Sequence, residues 1–247
     1  MQSKVHSSPI AVVAASICVA TLSPSFAANP DWPNLEEIII AAKNHLDVGY
    51  TATVPELMRK YRTTDLTKTF ELLDADRDKP EYQRARWTLP AWSMDIVLNG
   101  SYGRERRVKV DDYVRRRRLL WHAMPYTIET EASDPEEIVR MLAYGSNLSR
   151  QYGLDLPRYA KQTDVPEQGW AFATVLANAG VKFLHIGVNG GSKPPAELKK
   201  LPLLSWWEGP DGSRILLFYA HEYGWFLRAR STPPKGWRYK KIGRAHV

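Results

Sequence analysis

Cysteine is nearly absent from this 247-residue sequence, which contains only Cys18. That residue lies in an apolar run, Ile10–Leu22, which follows Lys4 and precedes the small residues Ser25 and Ala27. This order of residue types is typical of a secretory signal and predicts cleavage after Ala27, so that residues 1–27 form a signal peptide. The run is too short to span a membrane. Without cysteine, the remaining chain has no disulfides to stabilise it and must depend on its hydrophobic core.

Acidic residues are absent from the end of the chain, where no Asp or Glu follows Glu222. Residues 228–247 hold seven Lys and Arg, and Ile242–Val247 resembles a translated sequencing adapter. We therefore expect a basic tail with an artefactual end, on an N-terminal fragment of a longer protein. The formal charge of +7 includes Lys4 and these seven cations, so residues 28–227 carry a net charge of −1. The high pI thus comes from the ends, which argues against a nucleic-acid partner.

Strand-like and helix-like segments alternate through residues 28–227, which we interpret as one β/α domain of catalytic type. The predicted strands are Ile38–Ala42, Arg84–Leu89, Met124–Glu129, Tyr159–Thr163, Lys182–Gly187 and Ile215–Ala220. The predicted helices are Val54–Leu73, Trp92–Leu98, Val108–Leu120, Asp134–Tyr152 and Gly169–Ala179. The alternation indicates an α/β fold with a mostly parallel sheet, either open or closed as a barrel.

Polar and aromatic residues follow or flank the predicted strands, where ligands bind in parallel sheets. They are His45, Asp47, Trp87, Trp92, Glu129, Glu131, Asp164, Asn189, His221 and Glu222. We expect these groups to converge on one cavity at the carboxyl ends of the strands.

The stretch Glu37–Thr51 carries the most distinctive of these groups. His45 and Asp47 lie one residue apart just past an apolar run, so an extended backbone would point both side chains to the same side. Imidazole nitrogen and carboxylate oxygen are suitable zinc ligands. The sequence therefore predicts half of a metal site, and the alternative is an exposed turn with an incidental histidine.

Two segments resemble glycoside hydrolase family 38, the zinc-dependent retaining α-mannosidases. HLDVGYT at His45–Thr51 resembles the family's first zinc-binding motif, and Gln162–Asn189 resembles a later block in which an Asp precedes a helix and a strand. The match covers His45 to Tyr223 and is closer to an uncharacterised bacterial branch than to the classical enzymes. The resemblance implies an irregular parallel β/α barrel, incomplete at the C-terminus, and a Zn²⁺ ion that contacts sugar hydroxyls.

The resemblance also implies roles for individual residues. His45 and Asp47 match two zinc ligands, and Asp164 matches an acid or base. The nucleophile should fall near Thr130, where Glu129 and Glu131 are the available carboxylates.

This sequence departs from the family pattern in two places. It has no Asp near Thr130 at the expected position, and Glu167–Gln168 replaces the usual Gly-His. The family's last zinc ligand, a His, lies far downstream, and His221 is the late substitute that this chain offers.

Retaining glycoside hydrolysis needs a carboxylate nucleophile and a carboxylic acid about 5–5.5 Å apart. Glu129 or Glu131 with Asp164 would supply that pair. Tyr50, Trp87, Trp92 and Trp170 are candidates for stacking on pyranose rings, although Trp residues more often fill the core or surface.

The expected function is a secreted or periplasmic zinc-dependent retaining glycoside hydrolase that acts on α-mannoside-like glycans, with the fragment itself inactive. The expected partner is a carbohydrate, with no nucleic acid and no membrane after signal cleavage. The alternatives are a metal-dependent polysaccharide deacetylase and a non-catalytic glycan-binding relic of the same fold.

Overall fold

The computed structural model describes residues 42–43, 45–46, 48–100, 103–165, 167–189 and 200–220. The predicted signal peptide, the basic tail, Asp47, His221 and Glu222 lie outside these residues. Within the described ranges, no helix is long and apolar enough to cross a membrane.

Strands and helices alternate along most of the described chain, as the sequence predicts. The strands are β1 (Ala42–Lys43), β2 (Trp87–Pro90), β3 (Leu119–His122), β4 (Tyr159–Asp164), β5 (Phe183–Val188), β6 (Leu204–Glu208) and β7 (Arg214–Ala220). The α-helices are α1 (Val54–Lys60), α2 (Leu66–Asp74), α3 (Ala91–Leu98), α4 (Arg104–Arg115), α5 (Pro135–Tyr152) and α6 (Ala171–Asn178). A π-helical turn, Tyr61–Asp65, joins α1 to α2, so that the predicted helix Val54–Leu73 is one nearly continuous helical segment.

The strands form two sheets that lie side by side. β1, β2 and β3 are parallel, and the second sheet has the order β4-β5-β7-β6 with only β6 antiparallel. The amide of Ala123 donates to the Tyr159 carbonyl oxygen at 2.9 Å, which places β4 next to the end of β3. The predicted α/β fold with parallel strands is confirmed, whereas the described strands do not close into a barrel.

The predicted helix Val108–Leu120 is confirmed only as far as Arg115, and the predicted strand Met124–Glu129 is wrong. α4 ends at Arg115, and the third strand is Leu119–His122. The chain reverses at Arg117, whose φ of 56° is left-handed and cannot continue a helix. Glu129 and Glu131 consequently do not directly follow β3: Glu129 lies in the connecting segment, and Glu131 lies in a short 3₁₀ turn, Thr130–Ala132.

Arg118 is buried although it ends a run of four arginines, Arg115–Arg118. Its guanidinium forms a buried ion pair with Asp76, and its Nε donates to the Ala85 carbonyl oxygen at 3.0 Å. A buried charge is tolerated only when it is paired and hydrogen-bonded, which is the case here. The pair joins the end of α4 to the segment that leads into β2.

Each sheet has its own apolar core on the face covered by helices. The core of the first sheet includes Leu57, Leu73, Met94, Val110, Leu119 and Trp121, and that of the second includes Phe172, Leu176, Leu184, Ile186 and Ile215. β4 carries polar residues on its other face, where Lys161 and Thr163 are both buried. The helices therefore fix the sheets from outside and leave polar side chains on the opposite face.

Helix α5 begins where the sequence predicts. The Asp134 side chain accepts a hydrogen bond from the Glu136 amide at 2.8 Å, and Pro135 occupies the first turn. The helix ends at Gly153, whose φ of 63° suits a glycine. α5 thus starts directly after the loop that carries Glu129 and Glu131.

The hairpin of β6 and β7 is fixed to α6 through its turn. The Asp211 carboxylate accepts hydrogen bonds from Ser213 Oγ and Thr174 Oγ1, both at 2.6 Å, and these bonds lower the pKa of Asp211 well below its usual range. β6 was not predicted. Its neighbour Gly209 lies so close to α6 that an added Cβ would overlap Thr174 Oγ1 and come within 2.8 Å of the Thr174 amide nitrogen.

We expect Gly209→Ala to lower the free energy of unfolding by about 1–3 kcal/mol, because the added methyl would overlap the backbone of α6. Gly169→Ala is the matched control, since the nearest atom to a Cβ there is the Thr130 carbonyl oxygen at an ordinary distance of 3.5 Å. Chemical unfolding of both variants measures the difference. Equal stability of the two variants would contradict the close packing of the hairpin against α6.

Candidate functional site

His45 and Asp164 meet although they come from distant strands. His45 follows β1, Asp164 ends β4, and His45 Nε2 lies 3.8 Å from Asp164 Oδ2. In a flat sheet, β1 and β4 would be about 14 Å apart, because three strand spacings separate them. The contact therefore requires the strands to curve around a common space at their carboxyl ends.

Hydrogen bonds hold the imidazole of His45 in this position. Nδ1 lies 3.0 Å from Thr163 Oγ1, and Lys161 Nζ donates to the same hydroxyl oxygen at 3.2 Å. Tyr61 donates from its hydroxyl to the His45 carbonyl oxygen at 3.4 Å. The His45 side chain is only 8% exposed, so its orientation is set by these partners.

The backbone of Asp164 explains how two consecutive residues reach the same histidine. Neighbouring residues of a regular strand point to opposite faces, yet Thr163 and Asp164 both approach His45. Asp164 has a φ of 82°, which breaks the alternation at the strand's last residue. Such left-handed conformations are rare in non-glycine residues and are concentrated at functional sites. Asn189 also donates from Nδ2 to Asp164 Oδ1 at 2.5 Å, which orients the carboxylate.

The pair fits part of a zinc site. Two atoms that are each about 2.0–2.2 Å from one zinc ion are at most about 4.4 Å apart, and the separation of 3.8 Å meets that limit. If His45 donates its Nδ1 proton to Thr163, Nε2 is left as the ligand atom, which is the usual arrangement of metal-bound histidines. In the described part of the chain, no group of three or more His, Cys, Asp or Glu residues could hold a metal ion. Asp47 lies outside that part, so the zinc site stays a prediction.

A second group of carboxylates lies on the loops after β3 and β4. Partial burial raises the pKa of Glu129, and the negative charges of Glu167 and Glu131 raise it further. Gln162 holds the first of these loops, because its side chain exchanges two hydrogen bonds of 3.3 Å with the backbone of Ile128. The structure thus pairs Asp164 with His45 and groups Glu129 with Glu131 and Glu167.

The predicted sugar-stacking residues have different surroundings. Tyr50 is 89% exposed, whereas Trp87 is 5% exposed and packs in the core of the first sheet. Trp92 is half-buried and meets the edge of Tyr126 with ring centroids 5.9 Å apart. Trp170, the fourth candidate, is 63% exposed, so Tyr50 and Trp170 are the two candidates that offer open ring faces.

Thr163 was not identified from the sequence as a partner of His45, nor was Glu167 identified as a member of the carboxylate group around Glu129. Glu167 was noted only as a departure from the family pattern. Thr163 could not be inferred, because strand alternation places it on the face opposite Asp164.

The structure resembles parts of larger carbohydrate-active enzymes. An α-mannosidase from Enterococcus faecalis V583 matches 72% of this chain at 18% identity with a TM-score of 0.54. A 4-alpha-glucanotransferase from Thermococcus litoralis matches 74% of this chain at 14% identity with a TM-score of 0.50. A protein in the glycosyl hydrolase family 38 from Enterococcus faecalis matches 72% at 17% identity with a TM-score of 0.49.

The chain spans 19%, 28% and 18% of the length of these three structures, respectively. No protein-family profile matches the sequence, and no curated protein sequence matches it significantly. At these identities the likeness establishes the fold alone. The chain has an α/β fold that is similar to part of an α-mannosidase.

We expect Glu129→Gln to stabilise the protein slightly at about pH 7 and to have no effect at about pH 3. The raised pKa means that the folded state disfavours the ionised carboxylate, so the penalty is present above the unfolded pKa and disappears once the group is protonated. Because Glu129 is largely exposed, the gain should stay below about 1 kcal/mol. Thermal unfolding at both pH values measures it, with Glu71→Gln as a control on the exposed face of α2. A gain that is equal at the two pH values would contradict the charge repulsion.

Proposed function

We propose that this protein is a secreted or periplasmic, zinc-dependent retaining glycoside hydrolase that acts on α-mannoside-like glycans. The single observation that supports it most is the approach of His45 to Asp164 across the curved sheet, in a chain with an α-mannosidase-like fold. The signal-like residues 1–27 support the localisation.

The geometry favours a division of roles that differs from the initial expectation. Asp164 was expected to be the acid or base, but it faces His45 and is oriented by Asn189, which suits a nucleophile beside a metal ligand. Glu129 has a raised pKa and suits the acid that protonates the leaving oxygen. In the first step, the Asp164 carboxylate would bond to the anomeric carbon while the glycosidic bond breaks and the leaving oxygen takes the proton from Glu129.

Zinc would be held by His45 and Asp164, with Asp47 as the further ligand implied by the sequence motif. When bound, it would orient sugar hydroxyls and act as a Lewis acid. Thr163 would keep His45 oriented toward the ion.

We expect His45→Ala and Asp164→Asn to lose bound zinc, because each removes one of two ligand atoms that lie 3.8 Å apart. Glu129→Gln and Glu131→Gln should keep it, since these residues belong to the other carboxylate group. The measurement is metal content by mass spectrometry after dialysis against zinc, with affinity from a chelator competition. Retention of wild-type zinc affinity by His45→Ala would refute the metal assignment.

A fluorinated mannoside that forms a slow covalent glycosyl intermediate tests the function directly. With the full-length gene product, we expect labelling of Asp164, identified by peptide mass spectrometry, and no labelling of Asp164→Asn. Turnover of an aryl α-mannoside should fall by at least about 10³-fold in that variant. Deacetylation of a polysaccharide without labelling would indicate the deacetylase instead, and glycan binding without any turnover would indicate the non-catalytic relic.

A further inference from the structure

A cleft outside the His45 and Asp164 pair lies between the start of α5 and the start of α6. Its volume is about 470 Å³, within the range of about 300–1,000 Å³ that is usual for small-molecule sites. The lining residues that bear on ligand choice are Thr130, Glu131, Ser133, Gly169, Trp170 and Phe172. These residues come from the loops after β3 and β4 and from α6 itself.

Trp170 provides a fixed aromatic face at this cleft. The residue is 63% exposed, yet its indole Nε1 donates to the Glu208 carbonyl oxygen at 2.8 Å. An exposed tryptophan that is tied to a strand of the sheet loses little conformational entropy when a ligand stacks on it. Phe172, which also lines the cleft, packs edge-on against Trp207 with ring centroids 6.4 Å apart.

The polar groups of the cleft are mainly hydrogen-bond acceptors. Glu131 presents a carboxylate, and Ser133 Oγ donates to the Glu129 carbonyl oxygen at 3.0 Å, which leaves its lone pairs as acceptors. The Thr130 hydroxyl is held by Gly169, whose amide donates to it at 2.7 Å. Such groups bind ligands that are rich in hydroxyl donors.

The charge of the neighbourhood restricts the ligand further. Glu131 lines the cleft, and Glu129 interacts electrostatically with both Glu131 and Glu167, so these three carboxylates form one negatively charged group that would repel an anionic ligand. The ligand must therefore offer hydroxyl donors and carry no negative charge. A neutral polyhydroxylated ring that stacks on the indole meets both conditions, whereas a phosphate, a sulfate or a uronic acid is negatively charged and does not.

We propose that the Trp170 cleft is a glycan-binding subsite that takes a neutral pyranose unit, with the ring on the Trp170 face and its hydroxyls donating to Glu131. The subsite adjoins the carboxylate group of Glu129, so a glycan held there extends toward the proposed acid. The choice of an α-mannoside ligand rests on the proposed function, whereas the stacking surface does not.

The test is isothermal titration of α-linked mannobiose and mannotriose into the full chain that carries Asp164→Asn, which prevents turnover. Adding Trp170→Ala should weaken binding roughly tenfold or more, because truncating a tryptophan at the centre of a contact is among the most costly changes. Trp206→Ala is the matched control, since Trp206 is 67% exposed on β6 and does not line the cleft. It should change the Kd less than about twofold.

A second variant keeps the test independent of Trp170. Gly169→Ala would add a methyl 3.5 Å from the Thr130 carbonyl oxygen and 3.6 Å from Glu131 Cγ, an ordinary contact distance that narrows the cleft without disturbing the fold. It should weaken binding as well, with an unchanged Tm. Equal affinities of Trp170→Ala and Trp206→Ala, or no saccharide binding, would overturn the subsite. Loss of the subsite alone would leave the labelling of Asp164 intact, so the two proposals can fail separately.

Discussion

The curvature of the strands is the constraint on which the candidate site depends. The hydrogen bond from the Ala123 amide to the Tyr159 carbonyl oxygen makes the two sheets neighbours, and the contact of His45 with Thr163 and Asp164 shows how far they bend. A flat arrangement would separate these residues by about 14 Å. Because helices pack on the outer faces, the bend leaves polar side chains of β4 on the inner face. The site is thus a consequence of how β3 meets β4.

The break in strand alternation at Asp164 is the second requirement. The left-handed backbone there has a cost of about 1–3 kcal/mol, which the surrounding structure must offset. The hydrogen bond from Asn189 Nδ2 and the approach of the amide of Asn189 to the Asp164 carbonyl oxygen at 3.3 Å restrain this conformation. In return, two successive side chains reach His45, one as an orienting hydroxyl and the other as a carboxylate. A regular strand end could not provide both.

Much of the fold could be predicted from local patterns. The N-cap Asp134 with Pro135 identified α5, and the apolar run that became β5 was recognised by its residue types. β3 was misassigned because Leu119 and Leu120 continue the helical spacing of Val110, Tyr113 and Val114, and no glycine or proline separates them. The chain stops the helix with a left-handed arginine and a buried ion pair between residues 42 positions apart, which no local pattern encodes.

Part of the candidate site could also be predicted from local sequence patterns. His45 and Asp164 were identified from residue type and from their place after strands, and the convergence of strand ends is a general property of parallel sheets. The sequence could not predict which carboxylate faces His45, because this depends on the bend between the two sheets and on the left-handed φ of Asp164. Trp87 was predicted to line the site but is buried in the core. Residue type and position near a strand end do not determine whether a tryptophan points into the core or toward a ligand.

The separation of the carboxylates into two groups gives each a different chemistry. Asp164 accepts a hydrogen bond from the Asn189 side-chain amide and lies 3.8 Å from the His45 imidazole, which the Thr163 hydroxyl orients. Glu129 shares its surroundings with other negative charges, which favour its protonated form. In the proposed function, these two environments would serve the nucleophile and the acid, respectively.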